Sequence, residues 1–150
     1  MVPQSNARRV AEFHLAIGKA LPTVPTVPEA AELAFRLTLL GEEMAEVQEA
    51  AAALTVRLPR AEVADVFPLA HELVDLLYVA YGALQALGVD ADLAFAEVHR
   101  VNMRKATGPR RADGKQLKPE GWQPADLKRA LGLDQGGMTE TGEPNETLGR

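Results

Sequence analysis

The chain has no cysteine, which removes disulfides, thiolate metal sites and cysteine nucleophiles and suits a reducing compartment. It also lacks a long hydrophobic run. The longest uncharged apolar stretch, residues 76–89, is fourteen residues interrupted by Gly82 and Gln85, whereas a membrane span needs about eighteen or more. That stretch reads as a core helix. The opening MVPQSNARRVAEF has no continuous apolar segment of the signal-peptide kind, so a cytoplasmic location is expected, with no membrane partner. Excess positive charge is missing as well: the net charge is −5, which argues against a general nucleic-acid binder. No alternating apolar pattern persists long enough to specify a strand, and there is no internal repeat.

What remains is 150 residues, 47% hydrophobic and 25% charged, ordinary for one soluble domain. Periodicity predicts helices. The first begins near Asn6 as N-cap and runs to about Leu21, with Val10, Phe13, Ile17 and Leu21 on one face. The stretch PTVPTVP is a stiff connector, and its last proline, Pro28, suits a first helical position. A second helix then runs to about Arg57, carrying Leu33, Leu37, Leu40, Met44, Val47, Ala51 and Leu54 at heptad spacing, the mark of a bundle helix. A third, from about Ala61 or Val66 to Leu87, is closed by Gly88 and carries Leu69, Leu73, Leu76, Ala80, Ala83 and Leu87. A fourth opens on Asp90 and runs to about Ala106. After a polar stretch to Trp122, a short helix from about Pro124 to Leu131 stops at Gly132. The expected organisation is one domain over residues 1–132 and a disordered acidic tail over 133–150.

Charge is unevenly spread. From Arg104 to Lys118 there are six basic residues against Asp113 alone, which suits a small anion better than a long polyanion. The second helix carries Glu42, Glu43 and Glu46, the third Glu72 and Asp75. At about 100° per residue, Glu43–Glu46 and Glu72–Asp75 hold equivalent places beside their apolar stripes. If those stripes pack antiparallel, four carboxylates border one seam. Two like charges about 4 Å apart repel by roughly 4 kcal/mol at an effective dielectric of about 20. Such a cluster needs protonation, basic partners or divalent cations, and all-oxygen ligands favour Mg²⁺ or Mn²⁺ over zinc. A lone ExxE is usually a solvated helix face; a pair beside each of two stripes is a rarer arrangement.

Other motifs are missing. His14, His71 and His99 show no metal spacing, and each suits a structural or solvated place. The stretch from Gly108 to Lys115 mimics a phosphate-binding loop but has five residues between its glycines and Gln116 where a hydroxyl is needed. No G-x-S-x-G elbow occurs.

Glu42-Glu43-Met44-Ala45-Glu46, followed after 25 residues by Glu72-Leu73-Val74-Asp75, resembles the EExxE…ExxD signature of the all-α nucleoside triphosphate pyrophosphatases. That superfamily includes MazG, phosphoribosyl-ATP pyrophosphohydrolase and the dimeric dUTPases. With the downstream N-x-x-K (Asn102, Lys105) and the run DGKQLKPEGW, the chain is most similar to the MazG-like, dUTP-hydrolysing branch known from Deinococcus. The resemblance implies an all-α bundle of four to five helices forming an intertwined homodimer. Its activity would be Mg²⁺-dependent cleavage of a nucleoside triphosphate between the α- and β-phosphates, here dUTP to dUMP and pyrophosphate. It implies Glu43, Glu46, Glu72 and Asp75 as metal ligands, with Glu42 holding a further metal or orienting the attacking water. Asn102, Lys105, Arg111, Lys115 and Lys118 would meet the substrate.

The fourth helix bears on this independently: Asn102 and Lys105 fall on the same face as Ala91, Phe95 and Val98. A lysine ending such a stripe either snorkels to solvent or points at the acidic seam or a phosphate. Trp122 suits an anchor packing the basic segment onto the bundle. Phe13 and His14 suit a base pocket, although Phe13 equally suits the core. Two alternatives stay open: another substrate, whether a different triphosphate or phosphoribosyl-ATP, and a catalytically idle nucleotide-binding dimer.

Overall fold

A computed structural model describes residues 4–133; the expected acidic tail, from residue 134 on, lies outside them. The described residues form five α-helices and no strand, apart from one isolated antiparallel bridge between Arg110 and Gln116. None of these helices is long and apolar enough to cross a membrane.

Helix α1 spans Asn6–Ala16. Ser5, one residue before the expected cap, closes its N-terminus by accepting from the Arg8 amide at 3.3 Å. The helix stops five residues short of Leu21, followed by Gly18 at φ +73°. Its buried line is Ala7, Val10 and His14, whereas Phe13 and Ile17 of the expected stripe are 46% and 57% exposed. The core-facing side is rotated because a polar residue, His14, occupies it.

Helix α2 spans Ala30–Arg57, with Glu29 as N-cap, so Pro28 precedes the cap and is not the first helical residue. Two 3₁₀ turns, Leu58–Arg60 and Val63–Val66, lead into α3, Phe67–Ala86. The short connection makes α2 and α3 antiparallel: Arg36 lies against Gly82 near one end, and Arg57 pairs with Asp65 at the other. This pair is the most extensive helix contact in the chain, and α1 packs on α3. Gly88 adopts φ +65°, and a Cβ there would lie 1.8 Å from the Val24 carbonyl oxygen. The proline-rich connector thus crosses the end of α3, where the Thr26 amide donates to the Leu87 carbonyl at 2.9 Å.

A polar core joins α1, α2 and α3. Arg36, 5% exposed, donates from Nε to Glu32 at 2.7 Å and from Nη1 to His14 Nε2 at 3.2 Å. An arginine can only donate, so His14 Nε2 accepts and its Nδ1 carries the proton that meets Gln85 Oε1 at 2.9 Å. Gln85 donates in turn to the Ala7 carbonyl at 2.7 Å. Lys19 first and Arg36 second hold the Glu32 carboxyl below its usual range. Gly82 supplies the room, since a Cβ there would sit 2.9 Å from Arg36 Nη1.

Helix α4, Ala91–Arg104, opens as expected on Asp90, whose side chain accepts from the Leu93 amide at 3.0 Å. A 3₁₀ turn, Lys105–Thr107, ends it. Its buried side is Ala91, Ala94, Glu97 and Val101. The expected face is corrected here: Phe95 and Val98 are 66% and 40% exposed and line a cleft of about 260 Å³ between α3 and α4. Helix α5, Leu127–Ala130, is shorter than the periodicity suggests and is capped by Asp126.

Glu97 ties α5 back to α4. Its carboxylate accepts from Arg100 Nε and Nη2, both at 2.7 Å, and from the Asp126 amide at 3.1 Å. The Arg100 bonds, then the Asp126 amide, lower its pKa to about 2. A depressed carboxyl contributes stability that is present above the unfolded pKa and lost as pH falls through the folded one. Protection of the Asp126 amide from hydrogen exchange should therefore persist through the usual carboxylate range and vanish as pH approaches about 2. Glu97→Ala should remove it at every pH; retained protection in that variant would show that the tether lies elsewhere.

Candidate metal centre

Glu43 and Glu46 lie one turn apart on α2, and the antiparallel hairpin brings Glu72 of α3 against them. Ligand oxygens of all three lie within 4.8 Å of one another. Glu43 and Glu72 are half-buried and Glu46 is exposed. Burial first, then the charges of Glu46, Asp75, Glu72 and Glu42 in that order, push the Glu43 carboxyl above its usual range. Among the described residues, no Lys or Arg forms an ion pair with Glu42, Glu43, Glu46 or Glu72.

Asp75 and Glu42 stand beside this trio. Asp75, one turn beyond Glu72, has its carboxylate 2.8 Å from His71 Nε2. Glu42 is exposed and contributes the smallest of the four charge effects on Glu43. Glu46 and Glu72 line an open groove of about 430 Å³ with Glu49, Ala50 and Ala53. Clustered carboxylate oxygens that repel one another, reachable from solvent, fit a hard divalent cation, because such ions take oxygen ligands and supply the missing positive charge.

The basic segment forms a second group. It is a hairpin: the Leu117 amide donates to the Pro109 carbonyl at 2.8 Å, and the Arg111 amide to the Lys115 carbonyl at 2.8 Å. Gln116 also donates to the Gly108 carbonyl. Gly108 is required there, since its Cβ would fall 2.3 Å from the Leu117 carbonyl oxygen. Arg111 donates from Nε to Asp113 at 2.9 Å, so its charge is locally answered. Lys115 is exposed on the hairpin. Lys105 donates to Asn102 Oδ1 at 2.7 Å, and Lys105 and Lys118 lie 5.5 and 4.0 Å from the Trp122 ring centroid.

The structure thus gathers Glu43, Glu46 and Glu72, sets Asp75 and Glu42 alongside, and gathers Asn102, Lys105 and Lys118 elsewhere. Among the described residues, helix α4, which carries Asn102 and leads to Lys105, makes its main helix contacts with α3 and α5. The His71–Asp75 pair escaped the sequence reading, although its i, i+4 spacing was the available signal. The Trp122 ring as a seat for two lysines had no sequence signal beyond being the one tryptophan.

A family model for phosphoribosyl-ATP pyrophosphohydrolase matches residues 10–102. That segment runs from α1 to near the end of α4, takes in all five carboxylates and Asn102, and stops before Lys105 and the hairpin. No curated protein matches the chain.

Proposed function

The chain belongs to the phosphoribosyl-ATP pyrophosphohydrolase family, a helical family of the MazG-like superfamily, and from that premise we propose that it is a divalent-metal-dependent nucleotide pyrophosphohydrolase. The observation that carries this is the convergence of Glu43, Glu46 and Glu72 across the α2–α3 seam. These three and Asp75 would hold Mg²⁺, with Mn²⁺ as a substitute. When bound, the cation neutralises phosphate oxygens and lowers the pKa of water. Glu42, exposed at the edge of the trio, orients the attacking water and receives its proton. The water oxygen bonds to the α-phosphorus as the bond to the bridging oxygen breaks, releasing a monophosphate and pyrophosphate. Asn102, Lys105, Lys115 and Lys118 bind the phosphates; Arg111 joins them if substrate draws it from Asp113. Residues 1–132 act as one catalytic domain.

The family match favours phosphoribosyl-ATP as substrate. A second reading, dUTP, rests on the resemblance of the run DGKQLKPEGW, which lies beyond the matched segment, to the dUTP-hydrolysing branch. Pyrophosphate release measured across phosphoribosyl-ATP, dUTP, other dNTPs and NTPs with Mg²⁺ or Mn²⁺ separates the two. Turnover of none of them would leave the idle nucleotide-binding dimer.

A second copy completes the proposed enzyme. Leu33, Leu37, Met44 and Leu73 are 44–59% exposed in the single chain, and the α3–α4 cleft is apolar. So much uncovered apolar surface suits a homodimer. Light scattering should give twice the 16.1 kDa chain mass; a stable monomer at micromolar concentration would count against it.

A further inference from the structure

The Trp122 ring carries two ammonium groups, that of Lys118 at 4.0 Å and that of Lys105 at 5.5 Å from its centroid. These come from different elements: Lys105 from the turn that ends α4, Lys118 from the returning arm of the hairpin. Two like charges do not converge without an attraction, and the negative face of an indole provides one. Each lysine stem loses rotamer freedom when held. On the ring that ordering precedes any ligand. Lys105 is held a second time by Asn102 Oδ1, at 2.7 Å. The indole Nε1 is buried and has no hydrogen-bond partner among the described residues. Its N–H therefore adds no hydrogen bond to the arrangement.

We propose that Trp122 is a positioning residue, whose aromatic ring holds Lys105 and Lys118 in place as parts of a preformed receptor for a diphosphate group. An ammonium resting on a ring keeps its remaining N–H donors free on the outer side, so ring and phosphate engage the same lysine at once. Two ammoniums and the Asn102 amide then present several donors to an anion of two linked phosphates. That the diphosphate belongs to a nucleotide substrate rests on the pyrophosphohydrolase reading above; the anion receptor itself does not.

The ring's role fixes the sign of each substitution. Trp122→Leu keeps bulk but removes the π face, so both lysines become mobile and the ordering cost returns to the binding step. KM for the nucleotide should rise about tenfold, with kcat within about twofold. Trp122→Phe keeps a face and should restore KM to within about threefold of wild type. Because the phenyl ring has no buried N–H to leave unpaired, this variant should also melt no lower than wild type. If instead the ring merely stored the lysines away from substrate, Trp122→Leu would lower KM.

Calorimetric titration with inorganic pyrophosphate alone supplies a readout that needs no turnover. Wild type and Trp122→Phe should bind it alike and Trp122→Leu about tenfold more weakly. Lys118→Met, which leaves the tryptophan and its packing intact, should weaken binding at least as much. Trp122 is the one tryptophan of the chain, so its emission should change as pyrophosphate saturates the wild type. Equal pyrophosphate affinity in wild type and Trp122→Leu overturns the proposal, as does a Phe variant no better than the Leu one. The expected pyrophosphate pattern in a protein that hydrolyses no nucleotide would uphold the receptor and remove the enzymatic reading.

Discussion

Glu72→Gln should cut pyrophosphate release about a hundredfold or more, while the metal-free protein melts no lower than wild type. The two effects share one cause. Carboxylate oxygens held within 4.8 Å of one another repel by about 1 kcal/mol in water and about 3 kcal/mol at an effective dielectric of about 20. Partial exposure places this site towards the lower figure. A cation turns that repulsion into attraction, so Mg²⁺ or Mn²⁺ should raise the wild-type melting temperature by mass action and raise the variant's far less. Glu43 adds a pH signature. Its carboxyl is pushed above its usual range, so its contribution to stability is present below the unfolded pKa and lost as pH rises through the folded one. Glu43→Gln should accordingly stabilise the metal-free protein at neutral pH and do little in acid. Thermal melts with and without cation, beside a turnover assay, check all of this. Full activity in Glu72→Gln, or an undiminished cation effect on its melting, would remove these carboxylates from the metal site.

Arg36→Ala should destabilise the fold by about 2 kcal/mol, because removing a buried arginine from a partly buried ion pair leaves Glu32 and His14 short of a donor. Glu32 would lose its 2.7 Å bond, leaving only Lys19, and His14 Nε2 would lose its donor. The three helices meeting there would lose their shared polar contact. Gly82→Ala tests the same place from the opposite direction: a methyl 2.9 Å from the guanidinium forces the buried arginine to move. Urea denaturation should show a lower midpoint at unchanged slope for both variants. A loss below about 1 kcal/mol for Arg36→Ala would mean that the network merely fills space.

The carboxylate cluster was legible because helical geometry turns sequence spacing into direction: Glu43 and Glu46 share a face, and the short connection to α3 leaves only an antiparallel partner. Asp90 and Gly88 were legible as helix boundaries for similarly local reasons. Burial was read less well. An apolar stripe marks a face that seeks cover, and Phe95 and Val98 are only partly covered among the described residues. Conversely, Arg36 and His14 look solvent-bound by residue type, and only their mutual placement, with Gln85 and Gly82 contributed by a distant helix, makes burial tolerable. The cation-bearing ring was hidden for the same reason, since its two lysines are thirteen residues apart and meet only after the hairpin closes.

The hairpin begins at the end of α4 and returns to that same helix through Glu97 and the Asp126 amide. Both of its ends are thus secured to one scaffold element, and its turn, with Gly114 at φ +88°, projects with open space around that glycine. Changes of length or charge at the turn need not disturb the α2–α3 seam. Evolution, or an engineer, can therefore exchange this part like a tool head on a common handle. If the proposed phosphate contacts lie on this hairpin, selectivity between phosphorylated compounds can drift there while the acidic seam retains its geometry.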